Sequence, residues 1–300
     1  MLTLPIPLLL VITILTSALI SVTRGAYSKN LPADDRNLWF FNLVQSVCCA
    51  LMILLVMGGI GKISGYTVML GAILGAVSAF QLLFNLKAYS VGPFSYTMVI
   101  VSLSTIIPTV SGLFFGETIS PVQWIGIVLM AVCIILSPDS EKGAHAKKSG
   151  VLWLLFCIPA TLLSGTVGVL QKIHQTSAHA SEKAAFLVSA FAVSTVISLI
   201  FLLCSPKSAG HEYGTKKDKI IRVLLPVITG VGFAFPHTIN LYLAGVLTTA
   251  VMFPLVNIIP MVLSTITAML MFRERLSLRR WIGVIIGVIS TILVSGMITI

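Results

Sequence analysis

Charge is what this 300-residue sequence has least of. Asp, Glu, Lys and Arg make up only 9% of it, against about 25% in an ordinary soluble domain. Charge that scarce cannot cover a surface facing water, which excludes a soluble globular protein. Acidic residues are the rarer sign, nine against nineteen basic ones. Cysteine is limited to Cys48, Cys49, Cys133, Cys157 and Cys204. All five lie in apolar segments without metal spacing, which argues against a disulfide framework or a metal site. Catalytic signatures are missing as well. There is no H-E-x-x-H pattern, no nucleophile–base pair in an apolar stretch, and His174 and His179 fall five apart in an expected loop. No enzyme, no cofactor and no metal are therefore expected. The net charge of +10 reads as basic loops against anionic lipid rather than as a nucleic-acid surface.

What is present in excess is apolar sequence, 57% of the chain. A membrane-spanning helix needs roughly 20 apolar residues. Ten candidate spans follow, at about 5–23, 38–57, 64–86, 93–115, 121–137, 150–171, 184–204, 220–243, 248–271 and 279–299. The first ten residues, MLTLPIPLLL, lack a basic leader and read as the start of the first span. Most charges fall between spans, as expected when a charge at mid-bilayer costs about 2.5–3.5 kcal/mol. The expectation is an all-α, multi-pass protein of the plasma (inner) membrane.

The spans also repeat. Residues 75–91 (GAVSAFQLLFNLKAYSV) and 230–246 (GVGFAFPHTINLYLAGV) share a glycine, an Ala-Phe pair, an Asn-Leu pair and a final valine at an offset of 155. A second match pairs Glu117 and Trp124-Ile125-Gly126 with Glu274 and Trp281-Ile282-Gly283. Each unit holds five spans, an odd number, so the second copy enters the membrane from the opposite side. The expected fold is two inverted five-helix repeats, 1–138 and 150–300, joined by a polar linker at 139–149. Inverted repeats of apolar helices mark secondary transporters, whose substrate sits between the halves.

These paired motifs, with Ala88-Tyr89-Ser90-Val91 and Pro93-Phe94, resemble the drug/metabolite transporter superfamily, EamA type. The resemblance covers nearly the whole chain, and it implies a ten-helix permease. Basic residues bear on orientation. Sixteen of the nineteen fall in loops on one side of the ten-span scheme, and the positive-inside rule places both termini outside. The family's habit is the reverse, with both termini inside.

Local chemistry fills in the scheme. Ser120, Pro121 and Gln123 form an N-terminal capping box, and Ser277 opens the last span similarly. Gly71/Gly75 and Gly283/Gly287 allow close helix approach, the second pair serving either internal packing or a homodimer. Pro108, Pro236, Pro254 and Pro260 are expected kinks, whose freed carbonyls need a wet or buried setting. Gln81 and Asn85 share one helical face, as do His237 and Asn240 in the repeat mate. With Asn257, Thr105, Ser17, Ser164, Phe80 and Phe253 they form a candidate substrate cavity. His237 is the candidate for proton coupling.

No carboxylate and no fixed cation is expected at mid-depth. The set therefore suits a small neutral or zwitterionic solute, moved by alternating access. The resemblance favours an amino acid or related metabolite. A sugar or nucleoside permease, a lipid flippase and a non-transporting scaffold of the same fold are the alternatives. Expected partners are the solute, the lipid bilayer and protons, with no nucleic acid.

Overall fold

A computed structural model describes residues 5–116, 118–136, 144–206, 216–247 and 278–294, with seven single positions between 256 and 270. Every regular element among them is helical. The long helices are α1 (Ile6–Asn30), α2 (Asp35–Met57) and α3 (Gly65–Val91). The fourth span breaks into α4 (Phe94–Ser102), a 3₁₀ turn, α5 (Ile106–Ser111) and a second 3₁₀ turn. Then come α6 (Pro121–Leu136), α7 (Ala144–Thr176), α8 (Lys183–Cys204), α9 (Lys216–Val246) and α10 (Leu278–Val294).

Among the described residues, nine of the ten expected spans are helical. Seven are long and apolar enough to cross a membrane, counting Tyr96–Phe114 as one. The chain is thus an integral, multi-pass membrane protein. The expected ninth span, with Phe253, Pro254 and Asn257, lies mostly outside the described residues, as do Glu117, Glu274 and Ser277.

Helix ends follow local chemistry. Asp34 caps α2 by accepting from Asn37 N at 3.1 Å, and Ser64 caps α3 by accepting from Thr67 N at 3.2 Å. The capping box of α6 is reciprocal: Gln123 N donates to Ser120 Oγ (3.3 Å), and Ser120 N donates to Gln123 Oε1 (2.8 Å). Several helices outrun the hydropathy-based spans. Arg24 and Lys29 lie inside α1, Lys87 inside α3, and Lys172 and His174 inside α7, not in loops. α7 begins at Ala144, upstream of the expected position 150.

The packing alternates between the two parts of the sequence. α1 packs on α9, α2 on α8 and α9, α3 on α7 and α8, and α6 on α10. Small residues set the approach. A Cβ on Gly75 would land on the Ala190 carbonyl of α8, and one on Gly230 would meet the Gln45 carbonyl of α2. Hydrogen bonds cross these seams at Ser46–Ser194 (2.8 Å) and Thr23–Thr229 (2.8 Å), and Asn42 Nδ2 ties α2 to α3 by donating to the Ala79 carbonyl (2.8 Å). Gly283 is used internally, against the Tyr96 hydroxyl of α4. The outward faces of α6 and α10, including Ile125, Val128, Ile285 and Ile289, are exposed and apolar, as a lipid-facing surface requires.

The two ends of the bundle differ in charge. At one end Lys87 pairs with Asp35 (2.8 Å), Lys29 donates to the Gly92 carbonyl (3.0 Å) and Arg36 to the Ser205 carbonyl (3.3 Å). At the other, Glu182 accepts from Ser64 N (2.9 Å) and Ser64 Oγ (2.7 Å) and pairs with His179 (3.1 Å). The Thr67 and Ser64 hydroxyls hold the Glu182 carboxyl down at about 2.

Candidate functional site

A cavity of about 190 Å³ lies between α1, α3, the broken fourth span, α7 and α9. Its wall is built from the polar positions of otherwise apolar helices. Gln81 and Asn85 reach it from α3, His237 and Asn240 from α9, Ser17 from α1 and Ser164 from α7. Thr105 and Pro108 line it where the fourth span is interrupted, as do Pro236 in α9 and Pro260. The interruption has a local cause. Pro108 has no N–H for the Ser104 carbonyl one turn earlier, and the chain tightens into a 3₁₀ turn at Leu103–Thr105. α7 fits against this turn at Gly165, where a Cβ would meet Ile107 and the Ser104 carbonyl at 2.7 Å.

The hydroxyls mostly satisfy themselves. Thr105 Oγ1 donates to the Ser102 carbonyl (3.1 Å), and Ser21 Oγ to the Ser17 carbonyl (2.9 Å). The amides do not. Asn85 Oδ1 and Asn240 Oδ1 are buried and receive no hydrogen bond from the described residues. A buried polar atom left unpaired costs about 1–3 kcal/mol, so both amides keep an unmet demand beside the cavity. Asn85 stands six residues from the end of α3 and Asn240 six from the end of α9. Those helix ends point to opposite ends of the bundle.

His237 is enclosed by aromatic rings, edge-to-face with Phe191 (5.2 Å) and Phe233 (4.2 Å). Gln171 Nε2 donates to its Nδ1 at 3.2 Å, which leaves the proton of the neutral ring on Nε2. The other face of this region holds Arg24. Its guanidinium carbon lies 4.4 Å from the Phe233 ring centroid. Nε and Nη2 both donate to Gln45 Oε1, at 3.2 and 3.0 Å. Arg24 is buried at 7% exposure and lines the cavity. The expectation of a wall without a fixed cation is therefore corrected: α1 continues past the apolar run and carries Arg24 inside.

Phe80 stands outside this lining. It packs edge-on between Trp39 (5.9 Å) and Phe201 (5.8 Å), and those two rings stack at 4.7 Å near the basic end. Asn257, Phe253 and Pro254 fall outside the described residues.

Residues 151–296 match the model of the EamA-like transporter family. This second half of the chain belongs to the EamA-like transporter family. One solved structure, described only as "Crystal structure of protein", aligns with this chain over 97% of its length and 99% of the other's. The TM-score is 0.62 at 15% identity, a likeness of fold. No curated protein sequence matches the chain.

Sequence reasoning missed Arg24, Gln171, Ser78 and Tyr89 in the lining of this cavity. For Arg24 a signal existed: no proline occurs between the apolar run and Pro32, so nothing forces the helix to stop at position 23. For Gln171 there was only its place at the end of an apolar stretch. Its role depends on the approach of α9, which no local pattern encodes.

Proposed function

We propose that this chain is a secondary active transporter for a small neutral or zwitterionic solute, an amino acid or related metabolite by preference. The solute binds in the cavity between α1, α3, α7 and α9, with Gln81, Asn85, His237 and Asn240 as its polar contacts and Ser17, Ser164 and Thr105 beside them. The observation that carries this reading is the pair Asn85 and Asn240. They are repeat mates at an offset of 155, both line one cavity, and both hold an oxygen that the described residues leave unpaired.

The packing supports an inverted duplication of five spans. Exchange each span with the one five places on, and the contacts return to themselves. α1 on α9 becomes α7 on α3, α2 on α9 becomes α8 on α3, and α2–α8 and α6–α10 map onto themselves. The close approaches at Gly75 and Gly230 exchange in the same way. Halves related like this can swap conformations, so that a shared cavity opens to each side in turn. The basic end of the bundle faces the cytoplasm under the positive-inside rule, which puts both termini on the outer face of the plasma (inner) membrane. His237 is the candidate proton carrier, since it is the titratable group enclosed with the amides.

The test is tracer counterflow in proteoliposomes holding the purified full chain, with radiolabelled amino acids, sugars and nucleosides presented in turn. Saturable counterflow of at least one amino acid, reduced about tenfold in Asn85→Leu and Asn240→Leu, is expected. Protein-free rates for every tracer would overturn the reading.

A further inference from the structure

The cavity holds one positive charge, and nothing among the described residues answers it. Arg24 is buried in the wall, and among the described residues no carboxylate lies within ion-pair distance of it. Its neighbours are neutral: the Gln45 oxygen, which takes Nε and Nη2, and the Phe233 ring. A guanidinium has five N–H donors in a planar fork suited to a carboxylate. Gln45 engages one edge through a single oxygen, and Nη1 makes no hydrogen bond to the described residues. Burying an unpaired charge is expensive, and burying it without a counter-ion is sustained where a bound group supplies one.

The geometry points to Arg24 as the carboxylate anchor of the transported solute, resting on the reading of this cavity as the substrate site. Arg24 is the one Lys, Arg, Asp or Glu side chain in the described lining, so a single negative charge balances it. That fits a monocarboxylate group better than a phosphate dianion. The small volume and the unpaired amides of Asn85 and Asn240 then suit a compact molecule carrying a second polar group, as a zwitterion does. Gln45 is a positioning residue. It holds the fork from α2, one helix behind the wall, while Phe233 fixes the plane from α9.

Two measurements on the purified full chain test this together. The first is counterflow in proteoliposomes loaded with mixed radiolabelled L-amino acids, inhibited by matched pairs of each amino acid and its carboxamide. The second is thermal stabilisation of the detergent-solubilised protein by the same pairs. The acids should inhibit and stabilise at concentrations at least tenfold lower than their amides. Arg24→Lys should keep that preference with weaker binding, while Arg24→Gln should lose it and treat acid and amide alike. Gln45→Leu should raise the inhibitory concentration of the acid more than that of the amide.

Counterflow in which wild-type protein does not distinguish acid from amide would overturn the anchor while leaving the transport reading intact. Acid-selective stabilisation without any counterflow would uphold the anchor and overturn transport. Neither counterflow nor stabilisation would overturn both. The wild-type comparison of acid and amide stands even if a variant fails to fold.

Discussion

An unpaired amide oxygen does nothing for folding, so its removal separates function from stability. Asn85→Leu and Asn240→Leu should leave the melting temperature unchanged or higher, because each removes a buried acceptor without a donor. Both should reduce counterflow by about tenfold, since a lost substrate hydrogen bond of about 1–3 kcal/mol corresponds to a factor of roughly 5 to 150. A parallel fall in stability would mean the amides hold helices together instead.

His237→Gln keeps a hydrogen-bonding side chain and removes the titratable ring. If His237 carries the coupling proton, the pH dependence of uptake disappears in this variant; an unaltered profile assigns the ring a purely hydrogen-bonding role.

At the end of the bundle away from the basic one, Glu182 ties the start of α8 to Ser64 at the start of α3. The Thr67 and Ser64 hydroxyls lower its carboxyl from 4.5 to about 2. A lowered folded-state value means its contribution is present above pH 4.5 and is lost as pH falls toward 2. Wild-type thermal stability should therefore fall over that window more steeply than that of Glu182→Gln, read by scanning fluorimetry in detergent. At this scale the sequence was legible where chemistry was local, as with the matched amides of α3 and α9. It was not legible at Arg24 and Gln171, whose roles arise from rings and amides that distant helices bring to them.

At the scale of elements, two glycines set how closely helices pack. Gly75→Val would push a side chain into the α8 backbone at Ala190, and Gly230→Val one into the α2 backbone at Gln45. Each should cost about 1–3 kcal/mol or prevent assembly, seen as a lower melting temperature and loss of monodisperse protein. Gly65→Ala is the control, because a Cβ there meets nothing, and it should leave the melting temperature unchanged or slightly higher.

The described helices and their order could be read from apolar runs because each span must satisfy its own backbone in lipid. Helix ends could not, because hydropathy marks where lipid stops and not where hydrogen bonding does. α1, α3 and α7 all continue beyond their apolar windows, and α1 carries a cation into the cavity as a result. The break in the fourth span was signalled by Pro108. The 3₁₀ turn before it, which admits Gly165 of α7, needed the neighbour to become visible.

For the whole molecule, side-specific labelling checks orientation. In a cysteine-free background, Lys62→Cys should react with an impermeant maleimide added outside cells, and Asp34→Cys only after the membrane is opened. The opposite pattern would place the basic end outside.

The interleaved packing bears on how the protein is made. Each described helix of the first half has its most extensive helix contact in the second half. A nascent first half therefore enters the bilayer with its best-fitting faces still turned to lipid, and it waits there until translation supplies their partners. Insertion and tertiary assembly are separated in time, and residues 1–143 and 144–300, synthesised as two polypeptides, already carry what they need to find each other.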